Sequence, residues 1–244
     1  MFSWLKKVNS ARWPRCAALV AAAGSSSRMG GINKLLEPLE GVPVLIRTLT
    51  ALQMAQRVEE IIVATREEDL VEISRLCRDY GITKCTKVVR GGESRVHSVL
   101  LAALEAGEDM DLLAVQDGAR PLVTPELIDR TIAAAAKCGA AAPAVPVKDT
   151  IKSVGPGEYR DADAGPLCFA GGTDSPRSST GALLKAALQN ALEHQLPITD
   201  DCSAVEQLGK AVLLVEGDEE NLKITTPIDL VLAAAILKDR EERT

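Results

Sequence analysis

Residues 20–34 read VAAAGSSSRMGGINK, and they overlap the end of a short apolar run, CAALVAA, at residues 16–22. The apolar run predicts a buried strand. Gly24 and the three serines after it would let backbone N–H groups approach an anion closely, because none of them carries a large side chain. Arg28 and Lys34 add two positive charges. A strand that ends in such a loop predicts a polyphosphate site, although a solvated Gly/Ser turn would have the same composition.

The composition favours an α/β domain with an aliphatic core. The chain has 244 residues, enough for one large domain or two small ones. Hydrophobic residues make up 46% of the chain but aromatic residues only 2%, so the core must consist of Ala, Val, Leu and Ile, as suits parallel strands under Ala-rich helices. The net charge of −6 argues against a nucleic-acid-binding protein, which needs a basic face.

The cysteines and the N-terminal residues predict neither a zinc site nor a secreted protein. The six cysteines include no CxxC pair and the chain has two histidines, so buried thiols in a reducing compartment are expected. Residues 1–15 hold four basic residues but no apolar segment, which predicts an N-terminal tail rather than a secretory signal. No apolar run reaches transmembrane length. We therefore expect a cytoplasmic protein with no membrane partner.

Strand-like and helix-like segments alternate along most of the chain. The predicted strands are 16–22, 60–65, 84–90, 111–116, 140–145 and 211–215, and the predicted helices are 43–56, 66–80, 93–106, 125–137, 182–193, 202–208 and 227–240. This alternation predicts right-handed βαβ units and an α/β fold with a mostly parallel sheet. Residues 146 to about 181 break the pattern and predict an arm, a lid or a dimer contact, and residues 221–225 predict a short extended piece.

Charged side chains fall in loops that follow predicted strands. The polar residues that we single out are Arg28, Lys34, Asp117, Arg120, Thr150, Thr199 and Lys223. Ligands of parallel sheets bind beyond the carboxyl ends of the strands, so the loops after residues 22 and 116 are expected to face one pocket. No nucleophilic triad is apparent, and both histidines fall in helical patterns. Cations in this arrangement favour a reaction of phosphates, because an ionised phosphate nucleophile needs charge neutralisation more than it needs a base.

Six short motifs occur in an order that is typical of one enzyme family. They are AAAGSSSRMGGINK at 21–34, GGESRVHSV at 91–99, QDGARP at 116–121, PVKDT at 146–150, ITDD at 198–201, and VEG at 215–217 followed by NLKITTP at 221–227. From about residue 16 to its last helix, the chain resembles the 2-C-methyl-D-erythritol 4-phosphate cytidylyltransferases of the non-mevalonate isoprenoid pathway. Ribitol-5-phosphate cytidylyltransferases share much of this pattern and remain the alternative.

The resemblance implies a nucleotidyltransferase that makes CDP-methylerythritol and pyrophosphate from CTP and the sugar-alcohol phosphate, with Mg²⁺. It implies a single Rossmann-like domain at 16–244, with a twisted sheet between two layers of helices and a β-arm at about 146–170 that reaches across a homodimer. The CTP-binding residues that it implies are Ala22, Ala23, Gly24, Gly92, Arg95, Ser98 and Asp117. Arg28 and Lys34 would stabilise the transition state, and Asp117 would hold the metal. The residues that would meet the substrate are Arg120, Thr199 and Lys223, together with Thr150 from the arm of the other subunit.

Residues 163–180 depart from the family pattern. The family usually shows an Asp-Arg pair and then QTPQxF, whereas this chain reads DAGPLCFAGGTDSPRSST. Codons for TDS and SST, read out of frame, can encode QTP and VFD, so one explanation is a local frameshift across about 171–180. A genuine segment would lack the arginine for the substrate phosphate and the apolar anchor. It predicts local disorder and weaker substrate binding, and leaves open an impaired paralogue that still binds CTP.

Overall fold

The computed structural model describes residues 13–24, 33–146, 171–173 and 177–243. Its strands are β1 (Cys16–Ala22), β2 (Pro38–Leu39), β3 (Val42–Pro43), β4 (Val58–Thr65), β5 (Cys85–Arg90), β6 (Leu112–Asp117), β7 (Ala140–Pro146), β8 (Gly171–Thr173), β9 (Arg177–Thr180) and β10 (Leu213–Glu216). Its α-helices are α1 (Val44–Met54), α2 (Leu70–Asp79), α3 (Arg95–Glu105), α4 (Pro125–Cys138), α5 (Gly181–Glu193), α6 (Asp201–Gln207) and α7 (Pro227–Glu242). A short 3-10 helix, Glu67–Asp69, precedes α2, where the sequence predicted one continuous helix.

The mostly parallel sheet that the sequence predicted is confirmed. The strand order is β10-β7-β9-β6-β1-β4-β5, with β8 paired to β7 and a separate hairpin formed by β2 and β3. β1 lies in parallel between β4 and β6, with Val20 opposite Val63 and Gln116. Because these strands share one direction, the loops that follow β1, β4 and β6 meet at the same edge of the sheet.

Helices cover both faces of the sheet, which is also as predicted. Ala17 and Leu19 of β1 pack in one cluster with residues of α3 and α5. Ala18 and Val20 pack in a second cluster with residues of α1 and α4. Alternate residues of a strand point to opposite faces, so one buried strand serves two cores. The buried apolar side chains of the described residues are Ala, Val, Leu, Ile and three cysteines, as the low aromatic content required.

The segment for which no regular structure was predicted contributes two strands. β8 pairs antiparallel with β7, and β9 lies antiparallel between β6 and β7. The expected disorder is therefore wrong for residues 171–173 and 177–180. The backbone of β9 bonds neighbours on both sides, and those bonds do not depend on which side chains the strand carries. Three- and four-residue strands are also too short to show a periodic pattern.

Ser179 is a small side chain at a buried position. Ser178 and Ser179 are 2% and 4% exposed. Both serines line a small cavity, which Leu184 and Val205 also line.

We expect Ser179→Val to stabilise the protein. Added methyl groups that fill the cavity should raise the free energy of unfolding by about 1 kcal/mol and the Tm by about 2–4 °C. Ser179→Ala removes the hydroxyl without filling space and serves as the matched control. Thermal unfolding followed by circular dichroism measures both variants, and a Tm for the valine variant at or below that of the alanine variant would contradict the prediction.

Some predicted features fall outside the described residues. Only residues 13–15 of the predicted tail and residue 146 of the predicted arm are described, so the tail, the arm and the domain boundaries stay predictions. Among the described helices, none combines the length and the apolar character needed to cross a membrane. The cytoplasmic location stays a prediction.

Candidate active site

A pocket of about 350 Å³ lies at the carboxyl edge of the sheet, beyond β1, β5 and β6. Nine of the predicted site residues line it: Ala22, Ala23, Gly24, Lys34, Gly92, Arg95, Ser98, Asp117 and Lys223. The loops at the carboxyl ends of these parallel strands therefore bring together residues that are far apart in the chain. Arg28 and Thr150 lie outside the described residues, and their predicted roles stay predictions.

Two glycines let the loop after β5 approach the loop after β1. A Cβ atom on Gly91 would lie 2.6 Å from Ala23 Cβ and 2.8 Å from Ser98 Oγ, and one on Gly92 would overlap the His97 ring. The Gly92 N–H group donates a hydrogen bond to Ser98 Oγ at 3.0 Å. A side chain at residue 91 would push these loops apart, and one at residue 92 would displace the His97 ring.

The N-terminus of α3 faces the pocket. Ser94 caps the helix, with its Oγ accepting from the His97 N–H group at 3.1 Å, and the helix then runs for 11 residues from Arg95. Ser94, Arg95 and Ser98 all line the pocket. The first N–H groups of a helix and its dipole attract anions, so this end of the pocket suits phosphate groups.

Arg95 bridges two buried carboxylates at the pocket wall. Its Nη2 lies 3.0 Å from Asp117 Oδ1 and its Nη1 lies 2.8 Å from Asp201 Oδ2. Burial alone would lower the pKa of the Arg95 guanidinium, but Asp201 and Asp117 together raise it. Arg95 is thus a charged group held in one orientation.

Asp201 is a residue that the sequence analysis did not single out, although it belongs to the ITDD motif. The sequence predicted a helix directly after that motif, at 202–208. Asp200 caps α6, because its carboxylate accepts from the Ser203 N–H group at 2.8 Å. Asp201, only 2% exposed, instead contacts Arg95, which is 106 residues away. The motif was the signal, but it did not indicate which aspartate faces the site.

Asp117 gathers three cations around one carboxylate. Besides Arg95, Lys223 Nζ lies 3.0 Å and Arg120 Nε lies 3.6 Å from Asp117 Oδ2. Asp117 itself is 4% exposed. With Asp201 included, the cluster holds three positive and two negative charges, so it keeps a net positive charge toward a ligand.

The segment 221–225 positions Lys223 without joining the sheet. The Ile224 N–H group donates to the Ala119 carbonyl at 2.8 Å, which fixes the segment to the loop after β6. The Ile224 carbonyl accepts from Lys34 Nζ at 2.8 Å. The same backbone residue therefore places Lys223 beside Asp117 and Lys34 at the pocket wall.

Arg120 and Thr199 are not among the residues that line the pocket. The Arg120 side chain is 12% exposed, and its Nη1 donates to the Asn221 carbonyl at 2.5 Å. Arg120 therefore supports the segment that carries Lys223. Thr199 is exposed in the turn before α6, where its Oγ1 lies 3.4 Å from Ser203 Oγ. The predicted substrate contacts of Arg120 and Thr199 stay predictions.

Asp117 is chemically suited to a magnesium ion that is shared with a ligand. Mg²⁺ prefers oxygen donors and is often held by one or two carboxylates, waters and substrate phosphates. Within the described ranges, no group of three or more His, Cys, Asp or Glu side chains is arranged to hold a metal ion. The donor set thus fits a metal completed by phosphate oxygens rather than an all-protein site.

The sequence is similar to one enzyme family over nearly its whole length. The family model for 2-C-methyl-D-erythritol 4-phosphate cytidylyltransferase matches residues 16–239. A protein of that name from Halalkalibacterium halodurans is 39% identical over 228 residues, which cover 93% of this chain and 99% of the relative. One from Synechococcus elongatus is 41% identical over 228 residues, covering 91% of this chain and 96% of the relative.

Solved structures of the same type share the fold. The 4-diphosphocytidyl-2C-methyl-D-erythritol synthase of Anaerococcus prevotii superposes with a TM-score of 0.82 at 27% identity, over 92% of this chain and 96% of that one. The 2-C-methyl-D-erythritol 4-phosphate cytidylyltransferase of Thermus thermophilus gives a TM-score of 0.72 at 30% identity, over 92% and 99% of the two chains.

Proposed function

Because the chain belongs to the 2-C-methyl-D-erythritol 4-phosphate cytidylyltransferase family, we propose that it transfers the cytidylyl group of CTP to the phosphate of 2-C-methyl-D-erythritol 4-phosphate. The products are CDP-methylerythritol and pyrophosphate, for isoprenoid precursor synthesis. The observation that carries the proposal is the pocket at the carboxyl edge of the sheet. It joins the N-terminus of α3 with the side chains of Lys34, Arg95 and Lys223.

The alternatives that the sequence left open are not favoured. The relatives reported above are named for methylerythritol phosphate, not for ribitol phosphate. An impaired paralogue was suggested by the unusual residues 163–180, yet the part of that segment in β9 pairs regularly with β6 and β7.

In the proposed reaction, an oxygen of the substrate phosphate attacks the α-phosphorus of CTP. A new P–O bond forms, while the bond from the α-phosphorus to the oxygen that bridges it to the β-phosphate breaks. Pyrophosphate leaves with that electron pair. The attacking phosphate is already ionised at neutral pH, so the main obstacle is repulsion between anions rather than removal of a proton. Lys34 and Lys223 supply positive charge at the pocket wall where these anions would meet.

We assign the CTP side of the pocket to the loop after β1 and the start of α3. Ala22, Ala23 and Gly24 present backbone beside Gly92, and Arg95 and Ser98 stand on the helix that faces them. The helix N-terminus and the fixed Arg95 guanidinium suit a triphosphate.

We assign the Mg²⁺ ion of the reaction to Asp117, together with phosphate oxygens of the substrates. When bound, the metal supplies charge neutralisation and orientation of phosphate oxygens. Arg95 and Lys223 hold the Asp117 carboxylate at the pocket wall, so its position is fixed before a ligand arrives.

We also propose that two copies of the chain associate. On α7, Ile228, Val231 and Leu232 are 59%, 63% and 50% exposed. A group of exposed apolar side chains on one helix supports a protein contact. Sedimentation analysis tests this proposal: twice the 25.9 kDa mass of one chain is expected, and a single-chain mass would contradict it.

Pyrophosphate release from CTP tests the proposed activity. Parallel reactions contain Mg²⁺ with 2-C-methyl-D-erythritol 4-phosphate, Mg²⁺ with ribitol 5-phosphate, and the first substrate with EDTA in place of Mg²⁺. We expect release in the first reaction alone. Release with ribitol 5-phosphate alone would show that ribitol 5-phosphate is the substrate. Release in EDTA would contradict the proposed role of Mg²⁺. No release despite CTP binding would support the impaired paralogue.

A further inference from the structure

Two cysteines lie side by side between α2 and β5. Cys77 belongs to the last turns of α2, and Cys85 is the first residue of β5. The connection folds back on itself, because the Ile82 N–H group donates to the Cys77 carbonyl at 2.8 Å and the Cys85 N–H group donates to the Ile82 carbonyl at 3.2 Å. The Cys77 and Cys85 side chains interact with one another, and the Cys85 Sγ donates to the Lys87 carbonyl at 3.8 Å. The two sulfur atoms are therefore neighbours, and both are free thiols.

A small solute can reach this pair from one side. Cys77 and Cys85 both line an open depression of about 510 Å³, together with Arg78 and Lys87. Cys77 is 5% exposed and Cys85 is half-buried. The site thus combines shielded sulfur atoms with an opening toward solvent.

A positive charge beside Cys77 favours its thiolate. The interaction with Cys85 lowers the pKa of the Cys77 thiol, and Arg78 acts in the same direction, although burial opposes both. The interaction with Cys77 and burial raise the pKa of the Cys85 thiol. Cys16 is a contrast inside the sheet, because burial raises the pKa of its thiol to about 12. The thiolate is the reactive form of cysteine, so Cys77 is the expected nucleophile.

We propose that Cys77 and Cys85 form a peroxide-sensitive dithiol that closes into a reversible disulfide bond. The Cys77 thiolate attacks one oxygen of a hydroperoxide; the S–O bond forms, the O–O bond breaks, and the leaving hydroxide or alkoxide takes up a proton to become water or an alcohol. The Cys85 sulfur then attacks the Cys77 sulfenic acid, the S–S bond forms, and water leaves with the Cys85 proton. Two thiols are oxidised by two electrons, and the hydroperoxide is reduced.

The bond would join α2 to β5 without entering the pocket. Cys85 begins β5, whereas Arg90 ends it and leads to the glycines of the pocket wall. β5 is the last strand in the sheet order, next to β4. We therefore expect the oxidised protein to keep its rate of pyrophosphate release.

Peptide mapping of the full chain after treatment with hydrogen peroxide tests the proposal. Remaining thiols are alkylated with iodoacetamide before digestion with trypsin, which cuts after Arg75, Arg78, Lys84 and Lys87. The expected product is a disulfide between peptides 76–78 and 85–87, lost again after dithiothreitol. The proposal fails if Cys77 and Cys85 stay alkylatable at peroxide concentrations that oxidise the exposed Cys138, or if they oxidise without a link.

Two single variants separate the roles of the pair. Cys85→Ser should leave Cys77 as a sulfenic acid that dimedone traps, with no cross-link. Cys138→Ser, at an exposed position outside the pair, is the matched control and should retain the cross-link. Trapping at Cys138 but not at Cys77 in the Cys85→Ser protein would overturn the assignment. If Cys85→Ser does not fold, the peptide map of the protein without substitutions still tests the proposal, because that experiment needs no variant.

Discussion

Lys34→Ala is expected to lower kcat for pyrophosphate release by about 10²–10³-fold, with the KM for CTP nearly unchanged. Lys34 Nζ is fixed at the pocket wall by the Ile224 carbonyl at 2.8 Å. A cation held there meets the negative charge that develops on the transferring phosphate and on the leaving pyrophosphate. CTP would keep the helix N-terminus and Arg95, so the loss should fall on the transition state.

The controls for this variant distinguish lost charge from lost structure. Lys34→Arg keeps a positive charge and should recover part of kcat. Lys137→Ala removes a lysine from an exposed position at the end of α4 and should leave kcat and KM unchanged. Steady-state pyrophosphate release at saturating sugar-alcohol phosphate gives both constants. A folded Lys34→Ala protein with the normal kcat would refute the role of Lys34.

The sheet and half of the pocket follow from local patterns in the sequence. Apolar runs and helical periodicity are set by neighbours in the chain, so alternation alone predicted the parallel strands, whereas the two helix layers were implied by the family resemblance. Because parallel strands end at the same edge of a sheet, the loop of Lys34 and the loop of Asp117 were then predicted to face one pocket. Lys223 was singled out as a charged residue, but no local signal paired it with Asp117, which is 106 residues away.

The features that were missed depend on distant partners. β9 is four residues long, and its place is decided by open backbone groups on β6 and β7 rather than by its own serines. Asp201 has a role only through Arg95, on a different helix. The β2–β3 hairpin has two residues in each strand, which leaves no period to detect.

Among changes to the ion network, Asp117→Asn is expected to have the largest effect on catalysis. It should lower kcat by about 10²-fold, while the KM for CTP rises no more than a few-fold. The amide keeps the size of the side chain but removes the charge that holds Lys223 at 3.0 Å and Arg95 at 3.0 Å. Lys223 would no longer be fixed for the transition state, and the metal would lose its carboxylate. The pocket would also become more positive, so the attraction for a triphosphate should not fall.

Asp201→Asn is the matched change on the other side of Arg95. We expect it to change the KM for CTP rather than kcat. Its ion pair with Arg95 is 2.8 Å long, and a hydrogen bond between charged groups contributes about 1.5–3 kcal/mol. Loss of that bond should raise the KM for CTP about 10-fold, because Arg95 is less firmly held, while kcat changes little. Both constants come from pyrophosphate release at varied CTP, with thermal unfolding to verify folding. A catalytic role for Asp117 alone requires that the two variants differ. Equal losses of kcat with a normal KM in both variants would therefore mean that the two carboxylates act only as one structural unit.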